Sequence, residues 1–295
     1  MPLDSTRTAP TDATVASVPT DIPSEFMYRI PRGFQELIVS LCLDLDALRL
    51  LHALVHATCR EVPDWYRNDF AFPDGGFAKA SAEIKALLGL HRSNDNRSLK
   101  RGAEALRQTW LFDFLTFEHG SRVLRWQFRD EAKAWLFRDD DYGLLDIRAL
   151  ATLRTPLSVR LHTEIGLVRR MRRPQCAFAV PDLCAELRGG RVPSWERLRK
   201  PLVQALKMIA ARENMRFVVL LHWQYVLPGT DTVIVRAEHL HSTWHRPQLF
   251  KRAWGRGQTT RALAIDATTV RDVALQDLPN TLEPVGTWRA RLTAS

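Results

Sequence analysis

The residues of this chain best suited to chemistry are cations and amides at helical spacing, and they fall in two stretches. In "VPSWERLRKPLVQALKMIAAREN", Val192 to Asn214, the apolar residues Trp195, Leu198, Leu202, Leu206 and Ile209 step by threes and fours onto one face. Arg197, Lys200, Gln204 and Lys207 fall opposite them, and Arg199 belongs to the same basic set. In "NDNRSLKRGAEALRQTW", Asn94 to Trp110, the stripe is Leu99, Ala103, Leu106 and Trp110. Arg97, Lys100, Arg101, Glu104 and Gln108 look outward there, with Asn94 and Asn96 at the start. Such a face suits a DNA major groove: Arg and Lys match guanine O6 and N7, Gln and Asn match adenine, and the remaining cations meet phosphate. A solvated helix face carries the same residue types, so the weight rests on the pattern occurring twice.

Other basic text points the same way. "LVRRMRRPQ" places Arg169, Arg170, Arg172 and Arg173 at a helix end, where they grip phosphate or complement the helix dipole. Arg122 and Arg125 sit on a hairpin that reads as a wing over backbone or minor groove. "HRPQLFKRAWGRGQTTR", His245 to Arg261, interleaves cations with aromatic residues and fits either an arm on DNA or a docking tail.

Catalytic chemistry finds little footing. His239-Leu240-His241 has the His-hydrophobic-His form of a nicking enzyme's metal site. The four tyrosines, Tyr28, Tyr66, Tyr142 and Tyr225, all precede it, so the downstream nucleophile is missing. Cys176, Cys184, His239 and His241 lack zinc-site spacing. No GxxxxGK[ST] loop occurs, and Asp139, Asp140 and Asp141 read as a solvated charge run in a linker. The expectation is a binding protein without cofactor or metal.

The elements that must position these faces follow an order that repeats. A long helix is expected from Gly33 to Cys59, then a short extended piece and a helix ending at Gly89. The basic helix from Asn94 comes next, and Leu111 to Phe128 reads as a β-hairpin turning at His119-Gly120. About a hundred residues on, the order recurs. Leu157 to Val168 is a helix, "CAFAVPDLCAELRGG" is the extended piece and helix, Ser194 to Glu213 is the basic helix, and a hairpin turns at Pro228-Gly229. Pro201 predicts a kink or late start in that helix. Three helices followed by a hairpin is the winged-helix plan. The class is therefore α+β, two tandem winged-helix domains related by internal duplication: a disordered tail over 1–24, domains over 25–145 and 146–238, and a basic extension over 239–295.

Bulk properties agree. The chain has 295 residues, 45% of them hydrophobic, enough for two ordinary domains. Lys and Arg number 42 against 33 Asp and Glu, a formal charge of +9 that favours a polyanionic partner. No apolar run approaches the roughly 20 residues of a membrane span, and the tail lacks the core of a secretory signal. Cys42, Cys59, Cys176 and Cys184 lie in apolar text without CxxC pairing, which fits buried thiols in a reducing cytoplasm.

The stretch "LRTPLSVRLHTEIGLVRRMRRPQCAFAVPDLCAEL", through "SWERLRKPLVQALKMIAAREN" to "MRFVVLLHWQ", resembles the C-terminal winged-helix domain of iteron-binding plasmid replication initiators. Ser158-Val159-Arg160-Leu161 stands where that family carries its Ser-x-Arg-Leu-like helix core, and the likeness extends over Phe34 to Ala237. The resemblance implies a protein that binds double-stranded repeats at a plasmid origin, helps open the duplex and recruits host replication initiator and helicase proteins. It also implies dimers that repress their own promoter and monomers that initiate. The first domain's outer strand and the Val39-to-Leu54 helix are the candidate homodimer elements. A repressor without initiation activity, or a winged-helix docking module, would share these features.

Overall fold

The stripe that predicts one helix from Gly33 to Cys59 folds as two. The computed structural model describes residues 25–62, 72–90, 95–137, 141–169, 174–187, 193–224, 231–239 and 257–274. It opens with strand β1 (Met27–Pro31) and helices α1 (Arg32–Ser40) and α2 (Leu45–Glu61). Cys42 between the helices takes a left-handed φ of 48°, and the Asp44 carboxylate accepts from Ala47 N at 2.8 Å. An N-cap of this kind is worth about 1 kcal/mol, enough to start a new helix inside an apolar stripe. The break also divides the Val39-to-Leu54 helix and leaves Cys42 exposed, whereas Cys59, Cys176 and Cys184 are buried.

Strand β2 (Phe77–Ala80) and helix α3 (Ser81–Leu87) follow, and Gly89 at φ 67° ends that helix as its position predicts. Helix α4 (Arg97–Arg107), strands β3 (Phe112–Glu118) and β4 (Val123–Phe128), and helix α5 (Asp130–Leu136) complete the first unit. Its hairpin turns through His119, Gly120 and Ser121, all at positive φ.

Strand β5 (Tyr142–Asp146), helices α6 (Ile147–Thr152) and α7 (Pro156–Val168), strand β6 (Gln175–Ala179) and helices α8 (Val180–Ala185) and α9 (Trp195–Glu213) repeat the order. Strands β7 (Met215–Gln224) and β8 (Asp231–His239) form the second hairpin, whose turn lies outside the described residues. The pairing repeats with the order: β2 joins β4 and β4 joins β3, while β6 joins β8 and β8 joins β7.

Two features were not legible. Residues from 239 onward supply β9 (Gly257–Ile265) and β10 (Val270–Val273), which lengthen the second sheet to β10-β9-β7-β8-β6. The 145/146 boundary falls inside β5, which pairs antiparallel with β1 from Met27↔Asp146 to Pro31↔Tyr142. The strand that opens the second unit thus binds the strand that opens the first. Arg49 ties α2 to the end of α6 by donating to the carbonyls of Ala151 and Leu153. One apolar core runs from Tyr28 through Trp126 and Leu206 to Ile265, and a smaller cluster of Val218, Leu220, Ile234 and Ala262 lies on the second sheet's other face.

The β5 seat on α7 depends on two glycines. A Cβ built on Gly143 would lie 2.8 Å from Gly166 C and Leu167 N, which are backbone and cannot turn aside. Gly143→Val is expected to cost about 1–3 kcal/mol through overpacking, read as a lower midpoint in denaturant unfolding.

Candidate nucleic-acid interface

Helix α9 begins where Ser194 caps it, its hydroxyl accepting from Arg197 N at 3.3 Å. It continues through Pro201 to Asn214, which closes it at φ 52°. The late start is thus not seen. Pro201 withholds the N–H that the Arg197 carbonyl would have received, within a helix long enough to bear one missing bond. Trp195, Leu198, Leu202, Leu206 and Ile209 are buried as their spacing predicts. Lys200 and Gln204 are exposed one turn apart and have no hydrogen-bond or ion-pair partner among the described residues. Arg197 is half-buried.

Two further cations of α9, Arg199 and Lys207, are held by the C-terminal extension. Arg199 Nη2 donates to both carboxylate oxygens of Asp272 at 3.2 Å, and Lys207 Nζ donates to the Thr268 carbonyl at 2.7 Å. Thr268 lies in the β9–β10 turn and Asp272 on β10, so the extension braces one flank of the helix. Nothing in the local pattern of α9 announces this.

Helix α4 buries Leu99, Gly102, Ala103 and Leu106, and Gly102 is where the helix meets the Asp46 backbone of α2. Trp110, expected in this stripe, stands past the helix end and is 38% exposed. Lys100 is exposed and without a partner among the described residues, and the Arg122 side chain is exposed at the hairpin turn. Arg101 pairs with Asp46, Arg97 with Asp95 at 3.6 Å, and Gln108 Nε2 lies 3.5 Å from a Glu104 carboxylate that also holds Arg107. These are exposed pairs of small worth, so they can exchange for phosphate. They nevertheless make α4 the less positive of the two faces.

Asn96 and Arg125 do structural work. Asn96 Nδ2 donates to the Ser121 carbonyl at 2.8 Å, and the Ser81 hydroxyl donates to the same oxygen at 2.9 Å, so α3, α4 and the hairpin turn share one acceptor. The Arg125 guanidinium donates to Glu118 at 3.0 Å and to the Gly75 carbonyl at 2.9 Å, over the Phe114 ring.

Arg169, read as gripping phosphate or complementing the helix dipole, is engaged within the fold. Its side chain is 9% exposed, and it donates to Glu213 Oε2 at 2.7 Å and to the Leu144 carbonyl at 2.6 Å. His162, 3% exposed, meets the other Glu213 oxygen at 3.0 Å. Burial raises the Glu213 carboxyl, but the hydrogen bonds and charges of His162 and Arg169 overcome it and hold it at about 2. This cluster fastens the end of α9 to α7 and β5. Arg170, Arg172, Arg173 and Asn94, His241 and most of the His245-to-Arg261 segment lie outside the described residues, while Arg261 is exposed on β9.

No protein-family model matches the sequence, and no curated protein does. A solved structure described as the Pi initiator protein in complex with iteron DNA is similar in fold, with a TM-score of 0.56 and 14% sequence identity. The likeness covers 75% of this chain and 100% of that one, so the helix-and-hairpin architecture described above is the fold of that initiator chain.

Proposed function

We propose that this chain binds double-stranded DNA sequence-specifically through α4 and α9 and serves as a plasmid replication initiator at repeated origin sites. The observation that carries this is Lys200 beside Gln204, a guanine reader and an adenine reader one turn apart, exposed and unspent on a helix braced on its other sides. The formal charge of +9 and the fold shared with a chain seen on iteron DNA support it.

The proposed mechanism draws its work from binding. Two recognition helices entering successive major grooves, about 10 base pairs apart, would cover about 20 base pairs per monomer. Lys100, Arg122, Arg197 and Lys200 make affinity fall steeply with salt. Opening of an AT-rich neighbour draws on that contact energy where flexible steps deform cheaply, and no nucleotide is needed. Recruitment of host initiator and helicase proteins, a homodimer through the first unit, and promoter repression by that dimer complete the proposal.

A footprint on DNA cloned from beside the gene tests it. Tandem direct repeats protected in about 20-base-pair units are expected. Lys200→Ala with Gln204→Ala should lose one half of each unit first and weaken binding about 10- to 100-fold, the range of one good bidentate base contact. Unchanged protection removes α9 from the reading role, and a single inverted repeat over a promoter points to a repressor without initiation activity.

A further inference from the structure

The β9–β10 hairpin contributes more than two extra strands. Its turn is set by Asp266, whose carboxylate accepts from Thr268 N at 2.8 Å, Thr269 N at 2.7 Å and both threonine hydroxyls. Leu263 and Ile265 anchor β9 in the main core. The hairpin therefore holds a fixed position beside α9, with the Thr268 carbonyl on Lys207 and the Asp272 carboxylate on Arg199. Alternation along β10 confirms the direction: Val273 packs on the sheet's outer cluster, so Asp272 must point to the α9 side.

The Arg199–Asp272 contact is a loose one. A single guanidinium nitrogen spans two oxygens, both at 3.2 Å, instead of forming a two-nitrogen fork. Asp272 is 75% exposed and Arg199 42%, so solvent screens the pair. A phosphodiester offers Arg199 the same charge with better geometry. Asp272 already occupies the Arg199 Nη2 donor that a phosphate would use, and its own charge would repel a DNA backbone.

We infer that Asp272 is an internal stand-in for phosphate that holds Arg199 off the DNA backbone and so weakens binding to non-specific duplex. The inference rests on α9 being the DNA-facing helix. Non-specific affinity is almost wholly phosphate contact, so removing one cation from it lowers that affinity without touching a base contact. Asp272 is a positioning residue: it acts through Arg199.

The test uses the full chain and a random-sequence duplex of about 40 base pairs, titrated at about 50 and 200 mM salt. Asp272→Asn is expected to bind this duplex about two- to fivefold more tightly, the span of an exposed ion pair, with a salt slope steeper by about 0.9. Asp272→Glu should restore the original affinity, and in an Arg199→Gln background Asp272→Asn should change nothing. Tightening of equal size in both backgrounds overturns the inference, because Asp272 would then act as a diffuse charge. No tightening, with Lys200→Ala still weakening binding, overturns it alone. If the unaltered chain shows no salt-sensitive binding, or Lys200→Ala is silent, the DNA reading of α9 fails first and takes this inference with it.

Discussion

Glu213→Ala is expected to lower stability by about 3–5 kcal/mol, the cost of removing one partner from a buried ion pair. Glu213 is the last residue of α9 and is 14% exposed, facing Arg169 at 9% and His162 at 3%. Without the carboxylate, the guanidinium keeps the Leu144 carbonyl alone among the described residues, and a buried imidazole nitrogen loses its partner. Denaturant unfolding measures the loss. The same cluster sets an acid limit. The folded carboxyl is held at about 2, below the ordinary glutamate value of about 4.3, so its stabilisation is complete above that value and drains as pH falls from roughly 5 toward 2. The Glu213→Ala variant should show a shallower loss across that window. An identical acid profile in both proteins would place the acid sensitivity elsewhere. Arg169→Ala separates the two roles this residue has been given. It should lower stability and leave the salt slope of DNA binding unchanged, whereas loss of a phosphate contact would flatten that slope by about 0.9.

Arg169 also shows where the sequence stops being informative. "LVRRMRRPQ" displays four cations, and helical spacing says only that they lie near a helix end. What buries one of them is a glutamate at the end of a different helix and a carbonyl on β5, neither adjacent in sequence. Local periodicity was enough for the apolar seams of α4 and α9, for the Gly89 helix end and for the hairpin at His119-Gly120. It was not enough for β1 and β5, five residues each, whose pairing joins distant ends of the chain. Strand β5 opens just after the aspartate run that reads as linker, and its Gly143-Leu144-Leu145 is too short to show a period. Strands β9 and β10 had a clue in Asp266-Ala267-Thr268-Thr269, a side-chain-closed turn. The alternation of Thr, Arg, Leu and Ile before it was masked by the basic aromatic stretch upstream. Asp44, one capping carboxylate, was the readable sign that the long first helix breaks.

Trp126→Ala is the second large effect, expected at about 3–5 kcal/mol. Trp126 is fully buried on β4, stacked on Phe77 with centroids 5.6 Å apart, and its Nε1 donates to the Thr58 hydroxyl of α2 at 3.0 Å. Its loss leaves a cavity under the sheet that carries Arg122, and a buried hydroxyl without its donor. Trp126→Phe keeps part of the stack and loses the hydrogen bond together with some ring volume, so it should cost less than the alanine change, about 1–3 kcal/mol. The wider consequence follows from the core, which passes without interruption from Trp126 to Leu206 and is crossed by the β1–β5 pair and by Arg49. Units that share a core unfold together. Weakening the first unit at Trp126 should therefore lower the denaturant midpoint for α9 as well, so that tryptophan fluorescence and duplex binding are lost in one coincident transition. If duplex binding outlasts the fluorescence change, α9 stands on the second unit alone, and the β1–β5 pair joins two domains that fold separately.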